Sequence, residues 1–247
     1  MRRTSSEFLI MKEKSLPKHI GIIMDGNGRW ATARGKERSY GHYKGADAVN
    51  EVIQGCLSKG ISYLTLYAFS KENNKRPGEE VKNLMTLAVD TVNENIDKLN
   101  ENKVRVRIIG DLDGMPSEVA EKYKWCMEET KNNDKLTLIL AFNYSSRDEI
   151  TRASKKIAQN IIENKISVDD ISESLISNYL DTKDFPDPDM IIRTGGEMRL
   201  SNFLLWQASY AELFVTEILW PDFKKEDLLL AIDDYMNRER RFGLVKN

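Results

Sequence analysis

Residues 19–30 read His19-Ile20-Gly21-Ile22-Ile23-Met24-Asp25-Gly26-Asn27-Gly28-Arg29-Trp30. The apolar run 20–24 has the length and branching of a buried strand. It stops abruptly at a carboxylate, two glycines, an amide and a guanidinium. In an open α/β sheet, ligands bind in the crevice beyond the carboxyl ends of the strands. There Asp25 can hold a cation, Gly26 and Gly28 let backbone N–H groups approach an anion, and Arg29 can neutralise it. The joint pattern points to a metal-bound, phosphate-bearing ligand. Asp-Gly and Asn-Gly are also strong turn formers, so an ordinary strand-to-helix turn accounts for the same residues.

Outward from this stretch, five more strand-like runs follow, at 62–68, 104–110, 136–141, 190–193 and 213–216. Helix-period segments separate most of them. Ala46, Val49, Ile53 and Leu57 share one face, and a second stripe runs from Val81 through Leu84, Met85, Ala88, Val92 and Ile96 to Leu99. Pro77 stands at the start of that stripe, with Glu79 and Glu80 at its positive end. Further helices are expected over 147–163, over 168–180 with Ser167 and Asp170 as a short-armed capping box, and over 225–241. Strands alternating with helices imply parallel pairing through right-handed crossovers. The expected fold is therefore α/β: one domain over 18–247, a central six-stranded, mostly parallel sheet surrounded by helices, and a flexible arm over 1–17.

A chain of 247 residues can bury a sizeable core. Its net charge of −2 supplies no field for nucleic acid, and no such partner is expected. Cys56 and Cys126 lie far apart in helical-looking segments. They read as small core residues in a reducing compartment, with neither a disulfide framework nor a metal cluster. No apolar run approaches the roughly 20 residues needed to cross a bilayer, and the apolar patch at 8–11 is too short for a signal peptide. A cytoplasmic protein is expected, touching the inner face of the membrane peripherally at most.

Functional residues should gather at the carboxyl ends of the strands. The second run leads into Ser70-Lys71-Glu72-Asn73-Asn74-Lys75-Arg76 and the fourth into Asn143-Tyr144. The fifth leads into Arg193-Thr194-Gly195-Gly196-Glu197-Met198-Arg199-Leu200-Ser201-Asn202. Guanidinium groups grip phosphate oxygens in bidentate fashion, and the amides of Gly195 and Gly196 can form an anion nest. A solvated loop explains one such arginine more readily than two. Glu212, beside the sixth run, is a surface charge or a second metal ligand.

Read together, these segments resemble the cis-prenyltransferases. The matching stretches are HIGIIMDGNGRWA at 19–31, GH-x-x-GA at 41–46, LTLYAFS-x-EN at 64–73, RxRIIGD at 105–111, IIRTGGE-x-R-x-SNFLLWQ-x-x-YAEL at 191–213 and LWPDF at 219–223. In order, they cover nearly the whole chain. The resemblance is strongest to the bacterial undecaprenyl diphosphate synthase type. It implies a transferase that adds isopentenyl diphosphate units to an allylic diphosphate such as farnesyl diphosphate, each new double bond cis. The implied product is a long polyprenyl diphosphate serving as lipid carrier for envelope glycans, and the implied assembly is a homodimer using Mg²⁺.

Carried over residue by residue, Asp25 corresponds to the carboxylate that works with magnesium, and Glu212 to a second metal-associated carboxylate. Gly26, Asn27, Gly28, Arg29 and Trp30, with Arg38 and His42, resemble the cradle of the allylic diphosphate. Arg193, Arg199, Leu200 and Ser201 resemble the isopentenyl diphosphate clamp. Ser70, Lys71, Glu72, Asn74 and Arg76 belong to the substrate loop, and Asn73 matches a position assigned to proton removal. An amide is no base near neutral pH, so Asn73 is read as orienting the substrate while a diphosphate oxygen takes the proton. Asn74 departs from the pattern, which carries tryptophan there. The growing tail must avoid water, at about 0.8 kcal/mol per exposed methylene. Ala46, Ala68, the 84–87 face, Val104, Val106, Leu136 and Leu138 are expected to wall a tunnel. Arg241-Phe242-Gly243 resembles a tail that reaches the partner subunit's site, or it simply places charge at a helix end.

Three rivals fail on the residues, or are weakened by them. A haloacid-dehalogenase-type phosphohydrolase needs a nucleophilic aspartate where Ile23 stands. A non-catalytic prenyltransferase partner lacks the residues Asp25, Arg193, Arg199 and Glu212 that this chain retains. The all-helical trans-prenyltransferases need Asp-x-x-Asp clusters, which Asp169-Asp170 and Asp233-Asp234 do not form. A shorter-chain cis-prenyl diphosphate synthase stays open as the alternative product class.

Overall fold

All five residues of β1 (His19–Ile23) are buried, as expected of a strand covered by structure on both faces. The computed structural model describes residues 15–240. Five further strands complete the sheet: β2 (Tyr63–Ser70), β3 (Val104–Ile109), β4 (Leu136–Tyr144), β5 (Met190–Arg193) and β6 (Glu212–Val215). Their order is β3-β4-β2-β1-β5-β6, and every neighbouring pair is parallel. From β1 the chain lays β2 on one side and only later β5 on the other. The strand order therefore reverses at β1 and β5, and it is beyond such a reversal that α/β sheets bind ligands.

The helices are α1 (Asn27–Thr32), α2 (Arg38–Lys59), α3 (Gly78–Glu101), α4 (Ser117–Glu129), α5 (Ser146–Ile162), α6 (Glu173–Tyr179) and α7 (Lys225–Asn237). Side chains alternate across the strands, so β1 feeds two cores. Ile20 and Ile22 join Leu64, Leu66 and residues of α2, α3 and α7. On the other face, Ile23 packs with Ile139, Ile191 and Phe203. Gly21 lies between these β-branched neighbours because a Cβ there would stand 2.6 Å from the Ile191 methyl.

Two expected elements change. The helix expected over 168–180 divides into a 3-10 turn at Val168–Asp170, which Ser167 and Asp170 do cap, and the separate α6. Ile171 is extended between them, and Ser172 caps the restart by accepting from the Leu175 N–H at 3.2 Å. The last helix stops at Asn237 because Arg238 turns extended. Most of the 1–17 arm and the 241–243 tail lie outside the described residues. Cys56 and Cys126 are buried, and burial pushes their thiols up to about 12 and about 11. Among the described residues, no helix is long and apolar enough to cross a membrane.

His19 fastens the start of β1 as a neutral ring. Its Nδ1 lies 2.6 Å from the Pro186 carbonyl and its Nε2 lies 2.7 Å from the Thr65 hydroxyl. Burial lowers its pKa to about 4 against the opposing effects of Pro186 and Asp189. The unfolded chain takes up this proton near pH 6.5 and the folded chain near 4, so stability falls as pH drops through that window. The loss from this group is on the order of 3 kcal/mol. Urea unfolding stepped from pH 7 to 4 should show that decline, and His19→Gln should flatten it; an unchanged slope would contradict the buried neutral ring.

Candidate active site

Adjacency of β1 and β5 puts Ile23 opposite Arg193, so the residues that follow both strands open into one crevice. Asp25 and Arg193 meet there. The Arg193 Nη2 donates to the Asp25 carboxylate at 2.8 Å, and Arg29 approaches the other carboxylate oxygen at 3.4 Å. Burial raises the Asp25 pKa, but the Arg193 hydrogen bond and charge, the Arg29 charge and the Gly26 N–H outweigh it. The net result holds the carboxyl below its ordinary range. Arg193 is only 5% exposed. Its Nη1 also donates to the Arg199 carbonyl and, at 2.8 Å, to the Ser201 hydroxyl, which fixes the guanidinium plane.

Gly26, at φ 109, is the N-cap of α1, and no side chain caps that helix. Its φ lies where only glycine sits without strain. The first-turn N–H groups of α1 therefore have no intrahelical partner and open beside Asp25. Met24, Asp25, Gly28, Arg29, Arg38 and Arg76 are among the residues around a polar cavity of about 110 Å³. Arg38 lies on Gly28 so closely that an added Cβ would stand 2.5 Å from its Cζ. His42 lies where this cavity meets a larger one. Burial, with the charges of Arg76 and Arg38, lowers its pKa to about 4 against the pull of Glu80, so its ring is neutral.

Among the described residues, four buried side-chain polar atoms have no hydrogen-bond partner. Three are here: Asn27 Oδ1, His42 Nε2 and Arg193 Nε. Such orphans are rare in folded proteins, and water, an ion or a ligand can complete their bonding.

The larger cavity, about 220 Å³, runs between α2, α3 and the sheet. Ala46, Ala68, Leu84, Leu87, Val106 and Leu138 line it, as expected. Val104 and Leu136 instead lie in the core at the start of their strands. Asn73 and Arg76 reach the cavity from a 3-10 turn, Lys71–Lys75. The Asn73 amide oxygen accepts the Ser70 N–H at 3.0 Å, so what Asn73 has left to offer is its –NH₂ group, a donor and not a base.

Several of the expected ligand-contacting side chains also make contacts within the fold. Lys71 pairs with Asp148 at 2.6 Å, Glu72 accepts from Asn202 at 2.8 Å, and Asn74 donates to Asn143 at 3.0 Å. Trp30 donates to Asp222 at 2.7 Å, stacks on Tyr40 and lies under Arg34. Leu200 packs on the second core, and Arg199 is exposed beside Glu197 at 2.5 Å.

The diglycine nest is corrected. The Gly195 and Gly196 N–H groups donate to the carbonyls of Ile218 and Thr216, both at 2.8 Å, and offer nothing to an anion. These glycines serve close approach, since a Cβ on Gly195 would stand 2.4 Å from Arg29. Glu212 stands at the start of β6, opposite Met190, which pairs with Ile20. At about 3.3 Å per residue this is roughly 16 Å from Asp25 along the strands. It pairs there with Arg238 at 3.0 Å. Among the described residues no cluster of three or more His, Cys, Asp or Glu side chains forms a metal cage. One carboxylate beside open N–H donors and cations suits a metal that takes most of its ligands from phosphate and water.

Glu80 went unrecognised as a site residue. It pairs with Arg76 at 3.0 Å and faces His42 at 4.0 Å, and its i,i+4 spacing from Arg76 was the available signal.

The chain matches the prenyltransferase family model described as "Putative undecaprenyl diphosphate synthase" over residues 23–243. An isoprenyl transferase of Clostridium perfringens is 51% identical over 98% of this chain and 95% of its own length. One from Agrobacterium fabrum is 50% identical over 94% of each chain. The solved structure of lavandulyl diphosphate synthase from Lavandula x intermedia, in complex with dimethylallyl diphosphate, superposes with a TM-score of 0.89. It has 34% identity, over 92% of this chain and 98% of that one. The structure of a protein described as a probable undecaprenyl diphosphate synthase from Campylobacter jejuni superposes with a TM-score of 0.77 and 37% identity, over 93% of this chain and 99% of that one.

Gly28→Ala tests the anion cradle. Alanine favours the helix, but its methyl displaces Arg38. Affinity for inorganic pyrophosphate, measured by calorimetry, should fall by about tenfold, a loss of roughly 1.4 kcal/mol, with little change in melting temperature. Unchanged affinity would remove Arg38 from the cradle.

Proposed function

This chain belongs to the undecaprenyl diphosphate synthase family of prenyltransferases, and we propose a residue-level account of the reaction it performs. It is a cis-prenyltransferase, condensing isopentenyl diphosphate onto an allylic diphosphate to build a polyprenyl diphosphate. Farnesyl diphosphate is the proposed primer and undecaprenyl diphosphate the proposed product. The observation that carries the account is the meeting of Asp25 and Arg193 at one crevice that opens onto an apolar cavity.

The allylic diphosphate takes the cradle of Asn27, Gly28, Arg29 and Arg38, with its hydrocarbon in the cavity beyond His42. Isopentenyl diphosphate takes the side held by Arg193, Arg199 and Ser201. As the allylic carbon–oxygen bond breaks, charge collects on the departing diphosphate, and fixed cations placed there in advance stabilise it. Asp25, with diphosphate oxygens, would hold Mg²⁺, which would supply Lewis-acid stabilisation of that leaving group. Asn73 donates toward the isopentenyl unit and orients it; a diphosphate oxygen takes the proton as the new carbon–carbon bond forms.

The assembly proposed is a homodimer. Support comes from β6, an edge strand with Leu213 exposed and exposed Tyr210 just before it; such an edge is normally covered. At the far sheet edge, Glu212 is out of reach of a metal held by Asp25 of its own chain, so any contribution to such a site would come from a neighbouring copy. The proposed setting is the cytoplasm, with product passed to a membrane surface.

Incubation with farnesyl diphosphate, labelled isopentenyl diphosphate and Mg²⁺ should give chain elongation. Asp25→Ala should leave the circular dichroism spectrum unchanged and lower turnover by about 100-fold or more. Near-normal turnover in that variant would contradict the role given to Asp25.

A further inference from the structure

Left-handed backbone is concentrated in the loop after β5. Ser201, Asn202 and Leu204 have φ of 48°, 64° and 47°, and none is glycine. Such conformations persist only where the surroundings over-determine them. Phe203 and Leu204 are fully buried and anchor the loop from below. Asn202 holds it from the side. Its Nδ2 donates to the Ser145 hydroxyl at 2.7 Å and to the Glu72 carboxylate at 2.8 Å, and its Oδ1 accepts the Arg147 N–H at 3.0 Å. Its backbone carbonyl accepts the Ser146 N–H at 2.9 Å. The Ser145 side chain does not cap α5, so Asn202 satisfies first-turn N–H groups of that helix from a distant segment.

One amide thereby joins three parts of the molecule. Ser201, the preceding residue, is bonded to Arg193, which holds Asp25. Glu72 precedes Asn73 in the 3-10 turn. A continuous path of bonds runs from Asp25 through Arg193, Ser201 and Asn202 to the turn that carries Asn73. On the other flank of Asn73, Asn74 is held by Asn143, which is itself left-handed at φ 47°.

We propose that Asn202 is a positioning residue for the condensation, setting the turn that carries Asn73 against the clamp of Arg193 and Ser201. The proposal rests on the prenyltransferase reading above. The clamp grips the diphosphate of the isopentenyl unit while Asn73 orients the rest of it. A small misplacement between the two costs rate more than binding. The Glu72 bond is the part of this link that can be cut with least disturbance. Asn202→Asp keeps the side chain's shape, and aspartate tolerates left-handed backbone. It keeps an acceptor for the Arg147 N–H, and the Ser145 hydroxyl can donate to it. The new charge suits the N-terminus of α5. What is lost is the donor to Glu72, and two carboxylates then repel.

The test is the single-turnover rate of the first condensation, with farnesyl diphosphate and Mg²⁺, measured against the concentration of labelled isopentenyl diphosphate. Asn202→Asp should lower the limiting rate by about tenfold and leave the half-saturating concentration within about twofold, with the circular dichroism spectrum unchanged. Adding Glu72→Gln should restore much of that rate, because the glutamine amide donates to the new carboxylate and re-forms the bond in reverse. A residue that merely supported its own loop would show no such rescue. Should Asn202→Asp not fold, Glu72→Ala cuts the same bond from the exposed side and should lower the limiting rate in the same way. A wild-type limiting rate in the folded variant, or a loss that Glu72→Gln does not relieve, would overturn this inference alone. A wild type that elongates nothing would overturn the reaction assignment itself.

Discussion

The 2.8 Å contact between the Arg193 guanidinium and the Asp25 carboxylate is the interaction on which the rest of the site depends. Each group is less favourable in its place without the other. Arg193 is almost fully buried, and an unpaired buried charge is costly; Asp25 would hold its proton more firmly without the nearby cations. Their meeting requires β1 and β5 to be neighbours, although 168 positions separate the two residues. The sheet supplies this by reversing its strand order there. In the absence of substrate, Arg193 keeps Asp25 ionised and aimed, and Asp25 occupies a guanidinium that would otherwise lack a counter-charge.

Charge at the crevice and hydrocarbon beneath it divide the work. The cations Arg29, Arg38 and Arg76 surround the small polar cavity, while the large cavity behind His42 is walled mainly by aliphatic side chains. A diphosphate ester has the same two-part character, a multiply charged head on an apolar tail. The turn carrying Asn73 is tied to the start of α5, the end of β4 and the loop after β5 through Lys71–Asp148, Asn74–Asn143 and Glu72–Asn202. These bonds place Asn73 before any ligand arrives, which lowers the entropic cost of orienting a substrate.

Much of this was legible in the residues. The apolar, β-branched runs located all six strands within a few positions, because burial on both faces demands such runs. The abrupt change at Asp25 and again at Arg193 marked the crevice. Strand order was not legible, since it depends on where each crossover lands. Individual contacts were legible only where partners are close in sequence. Trp30 is held by Asp222, 192 positions away, and the Gly195 and Gly196 amides are taken by Ile218 and Thr216; no local pattern announces either. Asn74 departs from the tryptophan of the family pattern, and its amide meets Asn143 across the fold. Ser167 and Asp170 capped as expected, but the turn they cap is too short to carry the helix through Ile171.

The most direct test of the Asp25–Arg193 unit is a double-mutant cycle on the elongation rate, using Asp25→Asn, Arg193→Met and the two combined. Groups that act as one unit lose their function together, so the combined variant should be no slower than the slower single variant. Losses that multiply would show that the two residues act separately, and would contradict this account of the site.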